Sequence, residues 1–382
     1  MNNRQRFFTV LEGGTPDRTP WFPDITTWYE NTRKNFGEPE IFSPGSYIPD
    51  DIDFHKRESR LPGSMGKMTF VDFYREYDWG LPVHIYNWSK NVYTGGVEET
   101  VREDGKFVHR RFSTPVGELN RTFVRDQDGS LAPYDYWIKD IKELEILKYV
   151  VSHTSYEIDF SEAEKFLRET DGFGVCDLVI WRSPFGKVIH EYFGFEEAVY
   201  ALMDYEDEVM ELLKVQEEAD LRLIEEAAKG PAKVVIVSDH ADENLISPPF
   251  YQKYCVPFYQ KVRGILNPRG IYLSTHLDGN IKGYLPFITN AGVNLLDGCT
   301  PAPMFNYEVE ELAEAIKGKI SCYLGVPSSM VVEKAWTDQC VEFGKRISKA
   351  FEKKVIVNIG DIVPPDGNIE QVIAIGQGLK EI

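Results

Sequence analysis

Lys233-Val-Val-Ile-Val-Ser-Asp-His240 is an apolar, β-branched run ending on polar residues, and a helical pattern from about Pro249 to Leu266 follows it. The same unit recurs downstream. Gly270-Ile-Tyr-Leu-Ser-Thr-His276 precedes a predicted helix over Ile281 to Ala291, and Gly292-Val-Asn-Leu-Leu-Asp297 precedes one over Tyr307 to Lys317. Ile320-Ser-Cys-Tyr-Leu-Gly325 leads to a helix around Thr337 to Phe351, and Val355-Ile-Val-Asn-Ile-Gly-Asp361 to a last helix over Ile369 to Leu379. Strands alternating with helices at this spacing imply a parallel sheet with right-handed crossovers. Gly174-Val-Cys-Asp-Leu-Val-Ile-Trp181 and Thr19-Pro-Trp-Phe-Pro23 read as earlier strands, which nearly completes an α/β fold of the (β/α)8, TIM-barrel type.

Residues from about 40 to 150 have another texture, rich in aromatics, Gly and Pro. Val97 to Asp126 alternates like a β-meander, and Asp104-Gly105 between alternating runs is a hairpin signal. This stretch reads as an antiparallel elaboration inserted near the mouth of one barrel domain covering residues 1–382. Two helices over Glu196 to Lys229 carry many acids, in keeping with a solvated face.

Of the 382 residues, 42% are hydrophobic and 27% charged, an ordinary globular composition. No run of 18 apolar residues and no signal-peptide pattern appears, so a cytoplasmic protein that neither spans nor enters a membrane is expected. The formal charge is −19 with no long basic run, which argues against a nucleic-acid partner. The five cysteines are scattered and odd in number, unlike a disulfide framework.

Catalytic groups in such barrels project from the carboxyl ends of strands. Those ends carry Asp24, Trp181-Arg182-Ser183, Ser238-Asp239-His240, Thr275-His276-Leu-Asp278, Asp297-Gly-Cys299 and Gly360-Asp361. The sequence has no Gly-x-Ser-x-Gly elbow, phosphate loop or dinucleotide fingerprint, which weighs against hydrolase, NTPase and dehydrogenase chemistry. His276 suits a metal ligand or a proton relay, or it bonds a neighbouring loop. Asp278 is a ligand or the N-cap of the helix near Ile281. His240, Cys255 and His276 would make two imidazoles and a thiolate, a zinc-type set with an open fourth position. Cys255 reads equally as a small buried hydrophobe. Cys299 is an alternative sulfur ligand, while core packing accounts for Cys176, Cys322 and Cys340. Asp361, followed by Ile362-Val-Pro-Pro365, is placed to bind metal or move a proton. Trp28, Tyr29, Trp79, Tyr86, Trp88 and Trp181 are candidates to stack a flat substrate.

Several stretches together resemble the uroporphyrinogen decarboxylase-like superfamily. They are Arg6-Phe-Phe-Thr-Val-Leu-Glu-Gly-Gly-Thr-Pro-Asp-Arg-Thr-Pro-Trp21, Thr114-Pro-Val-Gly-Glu-Leu119, Ser183-Pro-Phe185 before Gly194-Phe-Glu-Glu, Ser247-Pro-Pro-Phe-Tyr-Gln-Lys-Tyr-Cys-Val-Pro257, His276-Leu-Asp-Gly279 and Gly360-Asp-Ile-Val-Pro364. True decarboxylases of that superfamily carry Trp-x-Met-Arg-Gln-Ala-Gly-Arg, where this chain reads Trp21-Phe-Pro-Asp-Ile-Thr-Thr-Trp28. The Thr-Pro-Val-Gly hairpin is similar to the corrinoid-dependent methyltransferases, including the ether-cleaving O-demethylase branch. Thiol-methylating members use His-x-Cys and a later Cys; His276-Leu-Asp278 and Asp361 stand there with carboxylates in place of both sulfurs. The Glu-x14-Glu-x20-His zinc spacing proposed for some ether-cleaving members falls on His240, Cys255 and His276, with both Glu positions substituted.

The resemblance implies transfer of a methyl group from an O-methyl donor, a methoxylated aromatic, to the Co(I) corrinoid of a separate partner protein. Zn²⁺ on His240, Cys255 and His276 would activate the ether. His276, Asp361 and Asp239 are the expected catalytic and metal-tuning groups, and Trp28, Trp181, Arg182 and Asp278 the expected substrate contacts. A homodimer is compatible with this reading. A decarboxylase of a cyclic or tetrapyrrolic acid and a non-catalytic binding barrel are the alternatives.

Overall fold

The computed structural model describes residues 1–35, 37–126 and 129–382. Its strands, in chain order, are β1 (Leu81–Ile85), β2 (Ser89–Tyr93), β3 (Glu98–Asp104), β4 (Phe107–Thr114), β5 (Gly117–Arg125), β6 (Leu131–Pro133), β7 (Thr154–Ile158), β8 (Gly174–Ile180), β9 (Val234–Val237), β10 (Tyr272–His276), β11 (Leu295–Cys299), β12 (Ser321–Val326) and β13 (Ile356–Ile359). Seven of them form one parallel sheet in the order β1-β8-β9-β10-β11-β12-β13. Strands β9, β11, β12 and β13 are buried along their whole length, because helices cover one face and the barrel interior the other. Their sequences are accordingly continuous apolar runs rather than alternating ones.

The eighth stave is the short segment around Trp21. Phe22 N–H donates to Val357 O at 2.8 Å and Val357 N–H to Pro20 O at 2.9 Å, a parallel bridge to β13. On the other side Gly80 N–H donates to Trp21 O at 2.9 Å, just before β1. A Cβ on Gly80 would lie 2.2 Å from the Phe22 ring, so only glycine permits this approach. The strand expected over Thr19 to Pro23 is thus a single bridge, since Pro20 and Pro23 have no N–H to give a longer ladder.

Helix Asn3–Leu11 closes the amino end of the barrel. Its Phe7 and Val10 pack with the inward side chains Phe22, Val175, Val234, Leu295, Tyr323 and Ile356 in one apolar cluster. This floor leaves the opposite, carboxyl mouth as the end open to a ligand.

Antiparallel pairing joins β3, β4 and β5 as the meander predicted from Val97 to Asp126, and β6, beyond that stretch, adds a fourth strand to it. Gly105, at φ +61°, makes the turn between β3 and β4. β2 pairs antiparallel with β7. The stretch read as an insertion also contains β1, a true barrel strand whose Pro82 concealed it in the sequence. The helix expected over Ile281 to Ala291 is instead two 3₁₀ turns, Lys282–Tyr284 and Ile288–Asn290. Leu285 stays helical, at φ −51° and ψ −38°, but Pro286 has no N–H to continue the ladder and Phe287, at φ −131°, leaves it, which accounts for the break. The remaining predicted helices are present as Val256–Leu266, extended upstream by the wider turns from Pro248, and as Val309–Ile316, Thr337–Ala350 and Ile369–Lys380. No helix among the described residues is long and apolar enough to cross a membrane.

Candidate metal centre at the barrel mouth

Successive residues of a strand point to opposite faces, so parity decides which strand-end residue meets the ligand. On β8 and its continuation Val179 and Trp181 face inward, on β9 Ile236, Ser238 and His240, on β10 His276, on β11 Asp297 and on β13 Asn358. All of them line one cavity of about 250 Å³ at the carboxyl mouth. Asp24, Ser43, His84, Tyr86, Tyr323 and Asp361 complete its polar lining.

His276 is at the centre. Its Nδ1–H donates to Asp297 Oδ2 at 2.6 Å, which leaves Nε2 as the free ring nitrogen. Nε2 is buried with no hydrogen-bond partner, and it faces Asp278 Oδ2 and Asp361 Oδ1, each at 3.7 Å. His240 stands beside it, ring centroids 4.7 Å apart, with Nδ1 3.2 Å from Asp278 Oδ2. One ligand atom from each of His240, His276 and Asp278 lies within 4.8 Å of the others. Arg182 and His240 both adopt left-handed backbone, φ +56° and +49°, so strain is stored where β8 and β9 meet the mouth.

The charges in the cluster hold one another. Burial opposes the His276 imidazolium, but the Asp361, Asp278 and Asp297 carboxylates outweigh it and raise His276 well above its ordinary value. Burial also opposes ionisation of Asp278, but its contact with His240 and the nearby His276 imidazole prevail, keeping this carboxyl well below the usual range. Asp297 is lowered in the same way by His276. Asp361 sits at the rim with 49% of its side chain exposed. Desolvation of its inner side and the neighbouring Asp297 and Asp278 raise it, against the pull of His276. Asp24, which accepts from Thr26 N–H at 2.8 Å, is raised by burial.

His84 forms a second pair across the same cavity, Nδ1 2.9 Å from Asp177 Oδ2. Burial would depress this imidazole, but Asp177 outweighs it and lifts it to about 9. Sequence reasoning missed His84 together with β1. The inward parity of Asp177 in Gly174-Val-Cys-Asp-Leu-Val-Ile180 was the signal available.

Four sequence-based assignments change. Cys255 is fully buried at the end of a wide helical turn, its Sγ 3.9 Å from Ser183 Oγ, and burial raises its thiol; it does not join the ligand cluster, where Asp278 stands instead. Asp239 has the opposite parity to His240 and points away from the cavity. It accepts from Ser183 N–H at 2.6 Å and from Tyr259 Oη, so it anchors the loop after β8 rather than reaching a substrate. Trp28 is 3% exposed and packs edge-on against Phe73, as core. Asp278 caps no helix, since only a 3₁₀ turn follows and Ile281 precedes it without a side-chain cap.

Of the expected substrate contacts, Trp181 lines the cavity and stacks on Tyr86, centroids 5.5 Å apart at 21°. Arg182 turns to a neighbouring cavity and pairs with Glu191 at 3.5 Å. Trp79 and Trp88 are buried in the core, and Tyr29 and Cys299 are buried away from the mouth cavity.

The fold and this mouth define an α/β-barrel protein with a His/Asp cluster suited to a divalent metal. Residues 185–381, just over half the chain, match the model of the family described as Uroporphyrinogen decarboxylase (URO-D), and the chain belongs to that family. The search of curated proteins found no match. Among solved structures the chain is similar to a methyltransferase from Methanosarcina mazei, at 12% identity and a TM-score of 0.60, over 100% of this chain and 99% of the other. A B12-independent methionine synthase from Shewanella sp. W3-18-1 is similar at 11% identity and a TM-score of 0.47, over 68% and 74% of the two chains. At 12% identity the likeness to the Methanosarcina methyltransferase is one of fold.

Proposed function

We propose that this protein transfers a methyl group from an O-methyl donor, a methoxylated aromatic, to the Co(I) corrinoid of a separate partner protein. The observation that carries the proposal is the His240, His276 and Asp278 cluster beside the stacked Tyr86 and Trp181 rings. Two imidazoles and a carboxylate are a zinc-type donor set, and the buried, unpartnered Nε2 of His276 fits such an ion. Asp297 accepts the Nδ1 proton, the carboxylate support that orients a metal-bound histidine. The chemistry zinc supplies when bound is Lewis-acid polarisation of an ether oxygen.

The protein's own residues account for the rest. Tyr86 and Trp181 offer a flat wall for the donor's ring. The acceptor cobalt attacks the methyl carbon, the carbon–oxygen bond breaks, and its electron pair stays on the phenolate oxygen. His84, kept as the imidazolium by Asp177, lines the same cavity and is the proton source for that oxygen. A corrinoid is too large for a cavity of about 250 Å³, so the acceptor approaches from the mouth on its carrier protein.

Decarboxylation of a tetrapyrrolic acid, the alternative reaction, requires cations for several carboxylates. The described cavity lining has Asp24, Asp297 and Asp361 and neither Lys nor Arg, which favours methyl transfer. The test is methyl transfer from methoxylated phenols to a Co(I) corrinoid protein, with and without prior chelation. Turnover of a porphyrinogen in place of methyl transfer, or a rate indifferent to metal removal, overturns the proposal.

A further inference from the structure

A second cavity, of about 690 Å³, opens between the meander and the barrel top and adjoins the first at Tyr86, Val179 and Trp181. Its cations are compensated with one exception. Arg110 pairs with Glu99, Arg182 with Glu191 and Lys187 with Asp220. Arg121, from β5, is 6% exposed and forms no ion pair among the described residues; the carboxylate whose charge reaches it is Glu191, which Arg182 already holds at 3.5 Å. Its Nη2 donates only to His190 O at 3.3 Å, its Nε has no partner, and its guanidinium lies over the Phe123 ring at 4.4 Å. A desolvated guanidinium without a counter-ion is unfavourable unless an anion joins it. The Nε of Arg182 and the Nε2 of His190 are likewise buried without partners, and both residues line the same cavity.

The geometry points to a binding site for an aromatic monocarboxylate in this second cavity, with Arg121 as the anchor of the carboxylate. One uncompensated guanidinium calls for a single negative charge, and the fork of Arg matches two carboxylate oxygens. Phe112, Phe123 and Trp137 line the same cavity and make its wall aromatic, which suits a flat apolar body. Asp220 does not cancel Arg121, because it holds Lys187 and the Gln216 amide. The Arg121 anchor shares no residue with the His/Asp cluster, although the two cavities meet at Tyr86 and Trp181, so benzoate binding through Arg121 stands or falls separately from methyl transfer.

The experiment is calorimetric titration of the full chain with benzoate and with benzyl alcohol. Benzoate binds at least about tenfold more tightly, the scale of a charge-assisted bidentate contact. Arg121→Gln loses that preference, while Arg121→Lys keeps part of it. Equal binding of acid and alcohol by the wild-type protein, or an undiminished preference in Arg121→Gln, overturns the site. A crystal of the wild-type protein soaked in 4-bromobenzoate decides without any variant. Bromine signal near Phe112 and Trp137 with the carboxylate on Arg121 supports the site, and signal elsewhere or none overturns it.

Discussion

His276 Nδ1 and Asp297 Oδ2 lie 2.6 Å apart at the carboxyl ends of two neighbouring strands, both side chains buried. The contact selects the tautomer that leaves Nε2 free toward His240 and Asp278. Asp297→Asn keeps the shape and removes the charge. Zinc affinity is expected to fall 10- to 100-fold, read by competition with a chromophoric chelator. Unchanged affinity would show that Nε2 does not face a metal.

The ligand set itself separates two histidines and a carboxylate from the sulfur alternative. His276→Ala and Asp278→Ala are expected to lose stoichiometric metal. Cys255→Ala should retain it, with a modest loss of stability from the small void left in the core. Elemental analysis of the purified variants makes the comparison.

His84 and Asp177 predict an alkaline limb in stability. The folded value of His84, about 9, lies above its ordinary 6.5. The stabilisation is therefore complete below about pH 6.5 and is lost as pH rises through 9, a change on the order of 3 kcal/mol. Urea unfolding at several pH values measures it, and His84→Gln should flatten the slope in that window.

Trp181 and Trp28 are expected to behave oppositely. Trp181 is 49% exposed and stacks at the cavity wall, so Trp181→Ala should weaken donor binding and leave the unfolding midpoint near that of the wild type. Trp28→Ala opens a void in the core and should cost about 3–5 kcal/mol. Paired donor-binding and denaturation curves distinguish the two.

Asp239 predicts a stability defect without a change in metal content. An amide at this position cannot accept from both Ser183 N–H and Tyr259 Oη, and Asp239→Asn should cost about 1–3 kcal/mol. Loss of metal in a folded Asp239→Asn protein would return this carboxylate to the cluster.

Local pattern alone determined the repeating strand-and-helix units from Lys233 to Leu379, save the helix over Ile281 to Ala291 that is two 3₁₀ turns, because buried parallel strands read as apolar runs and their polar ends must lie at one mouth. That argument also singled out His240, His276 and Asp361 before any coordinate. It did not reveal β1, whose Pro82 breaks the strand signal, and it read the Trp21 stave as a strand over Thr19 to Pro23 where the pairing is a single bridge. Tertiary structure alone decided between neighbours such as Asp239 and His240, because a one-residue change in parity turns a side chain from the core to the cavity. It also decided between Cys255 and Asp278, because a ligand set depends on atoms meeting within a few ångströms, and spacing along a chain does not specify where a helical turn directs a thiol.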